Sequence, residues 1–236
     1  MSGRASMRTI GILGGMSAAS TQIYYAELCR LTRERLGGLH SPELLIRSLD
    51  FAPVADLQAA GDWDRAGALL NAEAKALERA GAGLLLLATN TMHKLAGPMM
   101  QGVGVPLVHI ADATAAAIRA GGLSAPGLMA TAFTMEQEFY TGRLRAAGLA
   151  PVLPDAADRA ETHRIIYEEL CREVVSARSR AAFEAIAARL AAAGADSLIL
   201  GCTEVGMLLD AGNVPVPVFD TVAIHCAAAL ELALAG

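Results

Sequence analysis

The amino-acid sequence predicts an α/β fold of two similar, pseudo-symmetric domains. Each is a mostly parallel sheet flanked by helices, with the active site expected in the cleft between them. Three observations carry the prediction. Short apolar runs without strict alternation recur along the chain, as strands covered on both faces do. Nearly every run is followed by a longer Ala/Leu/Arg/Glu segment, usually stopped by glycine. The pattern then returns: GILGGMS (11–17) resembles GLMATAFT (127–134), and LLLLATNTMH (84–93) resembles SLILGCTEVG (197–206). Strand–helix alternation of this kind builds parallel sheets.

Taken in order, the first strand is expected over 8–13, then a helix over Ala18–Leu36 that stops at Gly37-Gly38. A second strand follows at Leu44–Ser48 and a helix over 64–80, closed by Gly81. The most apolar run, 81–88, has the length of a buried strand and falls well short of the ~20 residues that span a membrane. A strand over 107–110 leads to a helix over 111–120, closed by Gly121-Gly122. In the second half, strands at 127–130, 198–200 and 216–219 alternate with helices at 158–175, 180–193 and Thr221–Leu234. The repeat offsets agree: Met16 to Thr131 is 115 positions and Thr89 to Cys202 is 113. The expected division is 1–100 completed by 207–236, with 101–206 as the second domain. Ligands of open α/β sheets gather at the carboxyl ends of strands, so the site is sought there.

Composition excludes several classes. With 236 residues, 54% hydrophobic and 18% charged, the chain can bury a core without staples and is too apolar for disorder. Its 17 Arg and 2 Lys face 24 acids, a net charge of −5 with no basic stripe, so nucleic acid is an unsuitable partner. The opening MSGRAS lacks the apolar core of an export signal, and Met7 can serve as the natural start. A cytoplasmic protein with reduced thiols is therefore expected. Cys29, Cys171, Cys202 and Cys226 show no CxxC or Cys/His spacing, and the five histidines are dispersed, so no metal site is expected. Phosphate-binding glycine motifs and a serine-hydrolase elbow are missing.

The residues with chemistry stand at strand ends. Cys202 follows the apolar SLIL-Gly201, and Thr203-Glu204 can open a short helix there. Unpaired N–H groups at a helix start lower a thiol pKa, so Cys202 is expected to supply thiolate. Cys29, Cys171 and Cys226 fall within helical segments and are read as packing residues. Thr89 holds the matching position in the first half and heads Thr89-Asn90-Thr91-Met92-His93. Capping accounts for one of those polar residues; three together suggest a carboxylate cradle. His93 is either packed or solvated. Gly14-Gly15-Met16-Ser17 offers a further close backbone approach at a helix start.

GILGGMS, NTMH, FTMEQEFY (133–140) and LGCTE (200–204) in this order resemble the aspartate/glutamate racemase family, and the four motifs cover nearly the whole chain. The resemblance implies a cofactor-independent racemase, an amino-acid substrate and a homodimer. Its usual mechanism uses one cysteine from each half, one removing the α-proton and the other returning a proton to the opposite face. No pyridoxal lysine is required, and neither Lys75 nor Lys94 has a persuasive Schiff-base setting. Here Thr89 replaces the first cysteine. A hydroxyl cannot hold negative charge near neutral pH but can relay a proton, so one-sided chemistry is expected, with Cys202 as the base.

Arg47 and Arg164 are expected to hold a side-chain carboxylate, which favours aspartate or glutamate. Met16, Asn90, Thr91, Thr131, Thr134 and Thr203 are expected to line the site, and Glu204 to meet the α-ammonium or cap its helix. Two alternatives stay open. One is a related isomerase or decarboxylase of small dicarboxylic acids; the other is a non-catalytic binding protein for acidic amino acids.

Overall fold

The computed structural model describes residues 7–235; the opening MSGRAS and the final glycine lie outside the described residues. The chain divides into two compact units, one reaching His109 and resuming at His225, the other Ile110–Ile224.

The first unit runs β1 (Ile10–Gly14), α1 (Ala18–Leu36), β2 (Leu44–Ser48), α2 (Phe51–Ala60), α3 (Trp63–Arg79), β3 (Leu84–Leu87), a 3-10 turn (Thr91–Leu95) and α4 (Ala96–Met99). Its strands are parallel in the order β2-β1-β3, with Ile10 against both Leu44 and Leu84. Every residue of β1 and β3 is buried, as non-alternating apolar strands must be; β2 is the edge strand and is exposed from Ile46 on. Leu13, Leu85 and Leu87 pack against Leu70, Ala74 and Leu77 of α3 in one core. At about 1.5–3 kcal/mol for each such side chain buried, this contact dominates the local energetics.

The second unit runs α5 (Ile110–Ala120), β4 (Pro126–Met129), α6 (Ala132–Glu136), α7 (Glu138–Ala146), α8 (Ala156–Glu168), α9 (Ala177–Ala192), β5 (Ser197–Leu200), β6 (Val218–Asp220) and the start of α10 (Thr221–Leu234), whose residues from His225 on belong to the first unit. The parallel order is β4-β5-β6. Alternate residues of β5 enter opposite cores: Leu198 and Leu200 join Phe183 and Leu190, whereas Ile199 joins Ile118 and Tyr140. That is the physical meaning of a strand without polar alternation.

The two sheets share a plan. Isolated bridges add Leu107 beside β3 and Val152 beside β4, which gives both sheets the same four-member order. The same packing occurs twice. A Cβ on Gly11 would meet Leu85 and Ala82, and one on Gly127 would meet Leu198 and Ala195, each partner 113 positions further along. These glycines let neighbouring side chains cross the strand.

Several expectations are corrected. The expected strand at 107–110 is only the Leu107 bridge: Pro106 has no N–H to extend a ladder, and α5 already begins at Ile110. The helix expected over 158–175 stops at Glu168, because Glu173 takes a positive φ of 60° after a single 3-10 turn at Leu170–Arg172. Helix α2 was not expected: Pro53 obscures it, yet the proline sits in the first turn, Asp50 caps the start and Gly61 closes the end in a left-handed conformation. The return to the first unit comes at His225 and not at 207, since β6 pairs with β5. Among the described residues no helix is long and apolar enough to cross a membrane.

Candidate functional site

Six of the candidate residues form two clusters, Thr89–Thr91 in the first unit and Cys202–Glu204 in the second, each after the carboxyl end of a fully buried strand. In the first unit, Ala88 extends β3 by donating its N–H to Leu13 O, and its carbonyl accepts from Ser20 Oγ at 3.0 Å. Thr89 follows, partly exposed, then Asn90, Thr91 and Met92, all buried. Asn90 makes no capping hydrogen bond with its side chain, so capping does not account for its presence at this turn. His93 is buried, and its Nδ1 lies 2.7 Å from the Thr89 carbonyl.

The glycine-rich turn has a different role from the one expected. Gly15 has φ +87°, its N–H donates to Thr21 Oγ1 at 2.7 Å, and a Cβ there would lie 2.2 Å from the Leu49 carbonyl oxygen. The close approach is thus to the protein's own backbone. Ser17 caps α1 by accepting from Ser20 N–H, and Met16 is buried among Leu13, Val54 and Met92 as a packing residue.

In the second unit, Cys202 follows Gly201 at the end of β5 in extended conformation and opens the 3-10 turn Thr203–Met207. Its Sγ lies 2.9 Å from Glu204 Oε2, and the same carboxylate oxygen accepts the Thr203 hydroxyl. Glu204 is itself buried, at 5% exposure. The expected thiolate is therefore corrected. Burial pushes the Cys202 thiol well above its ordinary value, and the charge of Glu204 pushes the same way. The turn is too short to offset them with its dipole. Cys202 rests as a thiol donating to a carboxylate.

Neighbours missed in the sequence reading surround this pair. Tyr167 of α8 and Cys171 pack with Cys202 against the core that holds Val205 and Leu208. The Cys171 thiol is pushed up to about 12, first by burial and then by Glu204. His163, four residues before Tyr167, accepts the Ala132 N–H at Nδ1 (3.2 Å), which leaves its hydrogen on Nε2 when neutral. Burial lowers its pKa and keeps it in that form. The signal in the sequence was the spacing His163–Tyr167 on one face of a helix, which alone does not distinguish a site from a core.

Thr131 caps α6 through the Thr134 N–H, and the two hydroxyls lie 3.2 Å apart. Thr134 is fully buried, so its hydroxyl serves the turn. The arginines are engaged. Arg47 pairs bidentately with Glu73 at 2.7 and 2.9 Å while half-exposed. Arg164 meets Glu161, Glu168 and Glu169 together. Cys29 and Cys226 lie on α1 and α10, as packing residues do, with Cys226 fully buried.

Known proteins share the family model and the fold of this chain. The family model for Asp/Glu/Hydantoin racemase matches residues 13–229. The structure of a candidate Asp/Glu racemase from Yersinia pestis is 45% identical, covering 97% of this chain and 100% of that one, with a TM-score of 0.91. An aspartate racemase homologue from Pyrococcus horikoshii OT3 is 36% identical, covering 96% and 99%, with a TM-score of 0.84. The Picrophilus torridus aspartate racemase shares the fold, at 21% identity and a TM-score of 0.77 over 96% and 94% of the two chains.

Proposed function

The chain belongs to the Asp/Glu/Hydantoin racemase family, and from that premise we propose that it racemises aspartate and/or glutamate without pyridoxal phosphate, with Cys202 as its principal acid–base group. The observation that carries this reading is the part-buried contact of Cys202 Sγ with Oε2 of the buried Glu204 at 2.9 Å. A thiol held beside a carboxylate can pass its proton across without changing the net charge of the pair. Glu204 takes the thiol hydrogen, the thiolate removes the substrate α-proton, and the pair is left with both protons. The carbanion electrons move into the α-carboxylate, which needs hydrogen-bond donors in a site shielded from water.

The opposite proton transfer falls to Thr89. Its hydroxyl gives a proton to the carbanion and recovers one from water, and it is a poor base in the reverse direction. Turnover is therefore limited by the Thr89 side. Asn90 and Thr91, next to Thr89 in the chain, and Thr203, next to Cys202, are the polar groups suited to the α-carboxylate. Arg47 is the better candidate for the distal carboxylate: it has one competing partner, Glu73, where Arg164 has three. The ammonium of Lys94 lies 3.9 Å over the Trp63 ring, a packing arrangement and not that of a Schiff-base lysine.

Proton NMR in deuterium oxide tests the reading on L- and D-aspartate and L- and D-glutamate. Loss of the α-proton signal in wild type, abolished by Cys202→Ala, is the expected result. Exchange that survives Cys202→Ala refutes the mechanism. Tight binding of these amino acids with no exchange identifies a binding protein instead.

A further inference from the structure

The buried histidines of the first unit take no part in the chemistry described above, yet one of them touches Thr89. A carbonyl oxygen only accepts, so the 2.7 Å contact of His93 Nδ1 with Thr89 O places the ring hydrogen on Nδ1. The His93 backbone N–H is directed elsewhere, to Asn90 O at 3.1 Å. In an ordinary helix start the Thr89 carbonyl would take the N–H of the residue four positions on, which is His93. Here the imidazole supplies that hydrogen bond from its ring. Thr89 is thus kept outside the turn that follows, its own N–H folded back to Leu87 O at 2.8 Å. Of the ten residues 84–93, Thr89 is the one not buried.

A cluster stands behind His93. The ring is 2% exposed and lies edge-on to His109, with centroids 4.6 Å apart, and to His225, 5.5 Å apart. The state of His225 follows from its partners. Its Nε2 lies 2.7 Å from Val108 O and must donate, so Nδ1 accepts the Tyr24 hydroxyl at 2.8 Å. Burial, with His109 adding to it, lowers the His225 pKa to about 4. The imidazoles packed against His93 are thus His109, ahead of α5, and His225 of α10, which is itself hydrogen-bonded to Tyr24 of α1.

We propose that His93 is a positioning residue, which holds the Thr89 backbone so that its hydroxyl is presented for proton transfer, with its tautomer set by the Thr89 carbonyl and its ring packed against those of His109 and His225. What Thr89 does rests on the racemase reading above; that His93 props it does not. Two measurements test the proposal. Long-range proton–nitrogen NMR of the histidine-labelled wild type reads the tautomers. His93 is expected to carry its hydrogen on Nδ1 and His225 on Nε2; a His93 protonated on Nε2 overturns the proposal.

Kinetics provides the second test. His93→Ala is expected to lower kcat about tenfold or more with KM held within about twofold, and His93→Asn, whose amide N–H lies near the Nδ1 position, to recover it to within about threefold of wild type. An unchanged kcat in His93→Ala, or an equal loss in both variants, overturns the proposal. His93→Leu fills the space without an N–H and takes the place of His93→Ala if that variant does not fold. A wild-type chain inactive on all four amino acids refutes the racemase reading instead, and the tautomer measurement still decides whether His93 can be the prop.

Discussion

The ends of β3 and β5 are built alike and equipped differently. Both strands are four buried residues long, both pair in parallel with the first strand of their sheet, and both close on a short 3-10 turn. At β5 the exit residue is a thiol facing a carboxylate two residues on. At β3 it is a hydroxyl residue whose carbonyl is held by an imidazole four residues on. The same backbone device therefore holds a thiol beside a carboxylate in one unit and a hydroxyl residue propped by an imidazole in the other. The lesson is that duplicated architecture preserves the two strand-end positions, while single substitutions give them different chemical groups; on the racemase reading proposed above, these divide the labour.

The largest expected effect breaks the comparison outright. Cys202→Ala should reduce α-proton exchange at least about a thousandfold, whereas Thr89→Ala should reduce it by about ten- to a hundredfold. Equal losses in the deuterium-exchange assay would refute the division of labour. The second prediction restores the symmetry. Thr89→Cys should raise two-way turnover by about tenfold, measured as racemisation of each enantiomer by chiral chromatography, because a thiol is a far better base than a hydroxyl.

The third prediction concerns the thiol–carboxylate pair. Burial is the larger cause of the raised Cys202 pKa and Glu204 the next. Glu204→Gln should therefore move the pH dependence of Cys202 alkylation by iodoacetamide partway down, followed by peptide mass spectrometry to separate Cys202 from Cys171. A profile unmoved, or moved up, would mean the carboxylate does not act on the thiol. The fourth and smallest effect compares the twin glycines. A Cβ on Gly11 meets atoms at 2.7 and 2.8 Å, and one on Gly127 at 3.2 Å. Gly11→Ala should cost about 2–3 kcal/mol in urea unfolding and Gly127→Ala about 1 kcal/mol. A reversed order would show that the two sheets do not share this packing.

Much of this was legible in the sequence. Runs such as Leu84–Leu87 and Ser197–Leu200 name their own strands, since a strand apolar at every position must be covered on both faces. The repeat places Thr89 and Cys202 at equivalent strand ends before any coordinates are known. Less was legible where the outcome depends on neighbours distant in the chain. The 107–110 run has strand composition, but Pro106 and the start of α5 leave it one bridge. Arg47 has the right residue type for a substrate carboxylate, yet Glu73, brought near by α3, already holds it.

What the sequence determined by itself was the α/β class, the duplicated plan and the two strand-end positions, because hydrophobic periodicity and glycine stops act over short stretches of chain. Only the tertiary structure decided the state of the chemistry. The Cys202 pKa follows from its desolvation and from where the Glu204 carboxylate turns, and the His93 tautomer follows from the Thr89 carbonyl. Protonation is set by desolvation and by the distances to charges and hydrogen-bond partners, and those exist only once the chain has folded.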